Sequence, residues 1–176
     1  MATSPSTRRL LRSATSALSR WLSPRTRSTR GASTPPPMPR GPGASYPGDF
    51  SGPLDPTYSP RPDGRPDPGE IVWTWVPYEE DHSQGKDRPV LLVGHDGPWL
   101  LALQLTSKDH DGRPERPDGP RWVDIGAGPW DRQRRPSEVR VDRVVRVSPE
   151  AVRREGAVLA QDRFALVAAA LRDARE

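Results

Sequence analysis

Fourteen of the chain's 23 prolines fall within the first 68 residues, and Pro35, Pro36 and Pro37 are consecutive. A segment this rich in proline, set among Ser, Thr, Arg and Gly, cannot bury enough apolar surface to offset the entropy of ordering it. A disordered arm is therefore predicted for residues 1–68, and a folded domain for residues 69–176 only. Within the arm, Arg8–Leu22 spaces Leu10, Leu11, Ala14, Leu18, Trp21 and Leu22 helically, with Arg8, Arg9, Arg12 and Arg20 between them. That pattern predicts a short basic amphipathic helix suited to an anionic surface. Tyr46–Gly69 reads as an extended, turn-rich lead-in.

Charge divides at the same place. The chain carries a net +4. Residues 1–68 hold ten Arg, no Lys and four Asp, so +6, which leaves −2 for the rest. The basic character belongs to the arm and does not make the domain a nucleic-acid binder. With no cysteine, disulfides, thiolate zinc sites and cysteine nucleophiles are excluded. No run of about 18 apolar residues offers a membrane span, and a cytoplasmic location is expected.

From Gly69 the texture changes. Glu70–Val76 (EIVWTWV) is dense in β-branched and aromatic residues, the mark of a strand buried on both faces. After a polar loop, Arg88–Val93, a Gly94–Gly97 turn and Trp99–Thr106 predict a hairpin. Trp122–Ile125 and Glu138–Val147 predict further strands. Ser148-Pro149-Glu150 reads as a helix start, with Gly156 as its stop. Ala160–Arg175 aligns Phe164, Val167, Ala168 and Leu171 on one stripe of a closing helix. Short strands followed by C-terminal helices predict a mainly β fold built on a small bent barrel.

The densest chemistry lies in Ser137–Arg143 (SEVRVDR). Strand alternation puts Arg140 and Asp142 on one face and Val139 and Val141 on the core face. Residues two apart on a strand are separated by roughly 6.6 Å, a span that straddles a phosphodiester. In RNA the neighbouring 2′-OH is a built-in nucleophile that needs a base and a cation. On its own, though, Arg-x-Asp on a strand also reads as a solvated salt pair. Arg88-Pro89 begins a strand and Thr106-Ser107 ends one, so each offers polar groups at the rim of the sheet. Trp130 with Arg132–Arg135 could stack a base and hold phosphate, or the tryptophan could be tucked into a turn.

Taken in order, these segments resemble the PemK/MazF family of toxins, the endoribonucleases of bacterial toxin–antitoxin systems. The resemblance is carried by the Gly69–Trp73 opening strand, Gln84-Gly85, Arg88–Val93, Thr106-Ser107, Val123–Ile125 and Ser137–Val147 with its Arg-x-Asp. It implies an SH3-like barrel, a homodimer, a cognate antitoxin, and cleavage of single-stranded RNA without metal or cofactor to 2′,3′-cyclic phosphate and 5′-OH ends. Carried over by position, Arg88, Thr106, Arg140 and Asp142 become the catalytic candidates. Gln84, Ser107, Trp130 and Arg143 become the substrate-binding ones. A catalytically silent SH3-like barrel that binds RNA or a peptide is the alternative. Glu79, Glu80, Asp81 and Asp87 make the loop before Arg88 acidic, a departure that opposes phosphate.

Overall fold

The computed structural model describes residues 46–108 and 119–176. The predicted helix at 8–22, and the arm as far as residue 45, lie outside the described residues, as does most of the 107–120 loop. Among the described residues the chain forms a curled, wholly antiparallel sheet and one C-terminal helix. The strands are β1 (Glu70–Pro77), β2 (Gly85–Asp96), β3 (Trp99–Thr106), β4 (Trp122–Gly126), β5 (Ser137–Arg140), β6 (Val145–Val147) and β7 (Arg154–Val158). Helix α1 spans Gln161–Asp173. The sheet order is β4-β5-β3-β2-β1-β7, with β6 also on β3. Among the described residues no helix is long and apolar enough to cross a membrane.

Alternation along the strands sends side chains to two apolar clusters. Ile71, Leu91, Leu101, Leu103, Val139 and Val141 meet Phe164, Val167, Ala168 and Leu171 of α1, the stripe anticipated from the sequence. The opposite face holds Val72, Val90, Leu92, Leu100, Ala102, Val145 and Val147. Burial on both faces explains why β1 and β3 read as nearly continuous apolar runs. Pro89 sits opposite Trp73, just before β3 pairing begins at Val90 ↔ Gln104, a position where a strand tolerates proline. The β2–β3 turn is tighter than the predicted Gly94–Gly97. Asp96 pairs with Trp99, and Gly97, at φ 58°, takes the first position of a two-residue hairpin loop.

Three expectations need correction. Glu138–Val147 is not one strand. Val139 faces Leu105 while Val145 faces Ala102, so six steps along this segment match three along β3. The surplus bulges out as Val141–Val144, where the Val141 N–H donates to Arg121 O (2.9 Å) and Val144 O accepts from Phe50 N–H (2.8 Å).

The helix predicted from Ser148 is also absent. Only a single 3₁₀ turn, Pro149–Ala151, forms, and the Ser148 hydroxyl caps nothing. The outer edge of β1 recruits the following residues as β7. The register there passes from Ile71 ↔ Ala157 to Val72 ↔ Glu155, which leaves Gly156 as a bulge and not a helix stop.

Finally, composition groups residues 46–68 with the arm, yet this segment is a strap bound across the sheet. Thr57 N–H donates to Val93 O (2.9 Å), the Tyr58 hydroxyl donates to Leu159 O (2.9 Å), and Phe50, Leu54 and Tyr58 pack on the core. Gly94 makes room for it, since a Cβ there would lie 3.3 Å from Leu54. Aromatic anchors and arginine partners supply what the proline-rich composition hides.

Candidate functional site

Directly paired residues of antiparallel strands share a face, so the register locates the polar side chains. Trp122 ↔ Arg140 and Asp124 ↔ Glu138 join β4 to β5, while Thr106 ↔ Glu138 joins β5 to β3. Counting one residue from Leu105 ↔ Val139 brings Gln104 level with Arg140. Beyond Val90 ↔ Gln104, the last pair of β2 with β3, alternation keeps Arg88 on the face of Val90 and Thr106 on the face of Gln104. Arg88, Gln104, Thr106, Glu138 and Arg140 therefore continue, at one end, the face that Val90, Leu92 and Ala102 occupy at the other.

Asp142 belongs to the bulge. Freed from the ladder, it folds back on Arg140. Arg140 Nε donates to Asp142 Oδ1 and Oδ2 (both 3.0 Å) and Nη2 to Oδ2 (2.6 Å). The backbone N–H of Arg121, beside β4, pins Asp142 Oδ1 at 2.9 Å. A third group, Glu79 of the β1–β2 loop, accepts from Arg140 Nη1 at 2.9 Å. The Arg140 side chain is 12% exposed, Asp142 25% and Glu79 57%. Partial burial pushes the Asp142 carboxyl upward, but the bonds from Arg140 and from the Arg121 N–H outweigh it and hold the group below the ordinary carboxylate range. Burial likewise disfavours the Arg140 cation, and its two carboxylates more than reverse this, so its pKa is raised. Asp142 is thus a firmly ionised carboxylate of low basicity.

The other predicted residues divide. Arg88 is half-buried and has no ion-pair partner among the described residues. Thr106 Oγ1 accepts from the Lys108 N–H (3.1 Å), so its own proton is available to a ligand. Ser107 is exposed just beyond β3. Gln84 is used inside its own loop: its side-chain amide donates to Asp81 Oδ2 (2.7 Å), and its carbonyl accepts from the Tyr78 N–H (2.8 Å).

Trp130 and Arg143 lie away from this face. Trp130 is 6% exposed, packs in the first cluster and donates from Nε1 to Ser137 Oγ (3.1 Å). That leaves no ring face for a base to stack on. Arg143, also 6% exposed, is held by Asp49 of the strap through Nε (2.7 Å) and Nη2 (3.1 Å). A guanidinium buried in a two-point ion pair is not open to phosphate, and the bulge that frees Asp142 is what turns Arg143 aside.

Sequence reasoning missed Gln104 and Glu138, although both lie two residues from a candidate on the same strand and alternation alone would have found them. Glu79 carried no such signal, because it reaches Arg140 across 61 residues.

The family model described as PemK-like, MazF-like toxin of type II toxin–antitoxin system matches residues 67–174. No curated protein matches the chain.

Proposed function

Since the chain belongs to the PemK-like, MazF-like toxins of type II toxin–antitoxin systems, we propose that it is an endoribonuclease that cuts single-stranded RNA and is restrained by a cognate antitoxin. The observation that carries this reading is the common face of Arg88, Thr106 and Arg140, with Asp142 bonded to Arg140 at its edge. In this proposal Arg88 and Arg140 hold one phosphodiester and the Thr106 hydroxyl donates to it. Asp142 takes the proton of the adjacent 2′-OH. The 2′-oxygen attacks phosphorus, the bond to O5′ breaks, and the ends are a 2′,3′-cyclic phosphate and a 5′-OH.

An arginine is a poor proton donor, so Arg140 acts by stabilising the pentacovalent phosphate, and water protonates the departing oxygen. The ion pair makes Asp142 a weak base in the free protein. When a substrate phosphate takes the remaining donor of Arg140, it shares the cation's charge and the basicity of Asp142 rises. No step requires a metal ion.

The curled sheet is read as an SH3-like barrel and the active species as a homodimer, with both antitoxin and RNA met in the cytoplasm. The test is incubation of the full chain with a mixed RNA pool in EDTA, followed by mapping of the new ends. Cuts that bear cyclic phosphate without added metal are expected. Cuts seen only with Mg²⁺ overturn the mechanism, and RNA binding without cutting leaves the silent barrel as the better reading.

A further inference from the structure

We propose that the Glu79 carboxylate is a built-in substitute for the substrate phosphate on Arg140, so that RNA must displace it before the site can act. The inference rests on the ribonuclease reading and adds to it a device that sets how readily the site accepts its substrate.

The two carboxylates on Arg140 are not equivalent. Asp142 occupies the Nε/Nη2 edge with three bonds, is two residues away along the chain and is anchored by the Arg121 N–H. It is built in. Glu79 takes only Nη1, comes from a loop, is 57% exposed, and makes no other side-chain hydrogen bond among the described residues. It is the replaceable one. Guanidinium N–H groups accept carboxylate and phosphate oxygens by the same charge-assisted geometry, so an incoming phosphate competes for the donor that Glu79 holds.

The loop is shaped to present this group. Tyr78 N–H closes onto Gln84 O (2.8 Å), and Gln84 N–H onto Asp81 O (3.0 Å). Asp81 Oδ1 accepts from both the backbone N–H (2.9 Å) and the hydroxyl (2.6 Å) of Ser83. The His82 ring meets Tyr46 of the strap edge to face, with 4.9 Å between centroids. Glu79 thus leaves a braced turn, and the strap holds that turn from outside. This also accounts for the acidity of a loop beside a phosphate site, because one of its negative charges stands where the substrate's charge will go.

The experiment compares the full wild-type chain with Glu79→Gln and Glu80→Gln. Glu80→Gln removes the same charge from the adjacent exposed position, where the carboxylate has no bond to Arg140. The first readout is affinity for inorganic phosphate at constant ionic strength, followed by NMR on the arginine Nε–H resonances. Glu79→Gln is expected to bind phosphate about 1.5- to 5-fold more tightly, the fold-change corresponding to a solvent-screened ion pair, and Glu80→Gln is expected to match the wild type. The second readout is RNA cleavage, where Glu79→Gln should lower KM by a similar factor and leave kcat unchanged.

Identical phosphate affinities in all three proteins overturn the proposal. So does an equal gain in both variants, which is a general charge effect. If none of the proteins cuts RNA but Glu79→Gln alone gains phosphate affinity, the displaceable carboxylate stands and the ribonuclease reading falls.

Discussion

Asp49 and Arg143 are 94 residues apart in the chain and share a two-point ion pair, Nε to Oδ2 at 2.7 Å and Nη2 to Oδ1 at 3.1 Å. Asp49 also accepts from the Tyr46 hydroxyl at 2.6 Å. Arg146 of β6, three residues on, donates from Nη1 to the carbonyls of Gly48 (2.8 Å) and Asp49 (3.0 Å) and from Nε to Asp96 (2.7 Å). Two arginines of the last third of the chain thus depend on a segment that composition assigns to the arm.

Removing that segment leaves the buried Arg143 cation without its partner and takes two carbonyl acceptors from Arg146, which keeps Asp96. Asp49→Ala is expected to lower unfolding free energy by about 2–4 kcal/mol, because Arg143 stays buried and uncompensated. A chain that starts at residue 69 should be less stable still than one that starts at residue 46. Urea unfolding checks both, and equal midpoints for the two truncated chains would show that the strap contributes nothing.

Acid should weaken the same contacts. Burial raises the Asp49 carboxyl, but the bonds from Arg143 and Tyr46 prevail and leave it below its ordinary 3.8. Asp142 is also held below 3.8. A depressed folded-state pKa means that the stabilisation is complete above the unfolded value and is lost as pH falls through the folded one. Stability should therefore be flat, as far as these groups are concerned, from neutral pH to about 4.5, and should drop below about 4. Asp49→Asn should flatten part of that acid drop, as measured by urea midpoints across pH.

The site variants carry the largest effects on rate. Arg140→Gln is expected to reduce RNA cleavage about 10²–10³-fold, the usual loss for one positioned charge in the transition state. Asp142→Asn should fall at least as far, because it removes the proton acceptor and also the carboxylate that orients Arg140. Single-turnover cleavage assays decide this, and parental rates in either variant would reject these roles.

Trp130→Ala separates packing from stacking. A buried ring that loses its contacts and its bond to Ser137 should cost about 3–5 kcal/mol of stability. RNA affinity of the folded protein should be unchanged when measured well below its unfolding midpoint. A base stacked on Trp130 would instead make the variant lose about 5- to 150-fold in affinity, the range that 1–3 kcal/mol of stacking represents.

What the sequence disclosed follows from how local each signal is. β1, β3 and the α1 stripe were legible because periodicity and residue type act over neighbouring positions, and burial on both sides reinforces them. Arg88 and Thr106 were legible as polar residues at the ends of apolar runs. The interruption after Arg140 was not, because alternation tells which face a residue takes but not how many residues of β3 it must match. Ser148–Gly156 carries sound helix signals, and they lose to the unpaired edge of β1, 77 residues away at the Thr74 hydroxyl's bond to Ala151 O. Arg143 misled for a related reason, since an arginine in a basic stretch looks exposed until its partner 94 residues away is known, whereas for Trp130 the sequence left stacking and tucking both open.

The strap has a consequence for synthesis. Tyr46, Asp49 and Tyr58 leave the ribosome early, yet their partners Arg146, Arg143 and Leu159 lie 100, 94 and 101 residues downstream. β1 has to wait for β7 in the same way. A growing chain therefore cannot close the domain until nearly all of it has emerged, and contacts of such long range form slowly. Under the proposed ribonuclease function, a half-made copy would lack the closed domain that frames Arg88, Thr106, Arg140 and Asp142, and activity would begin only once the chain is nearly complete.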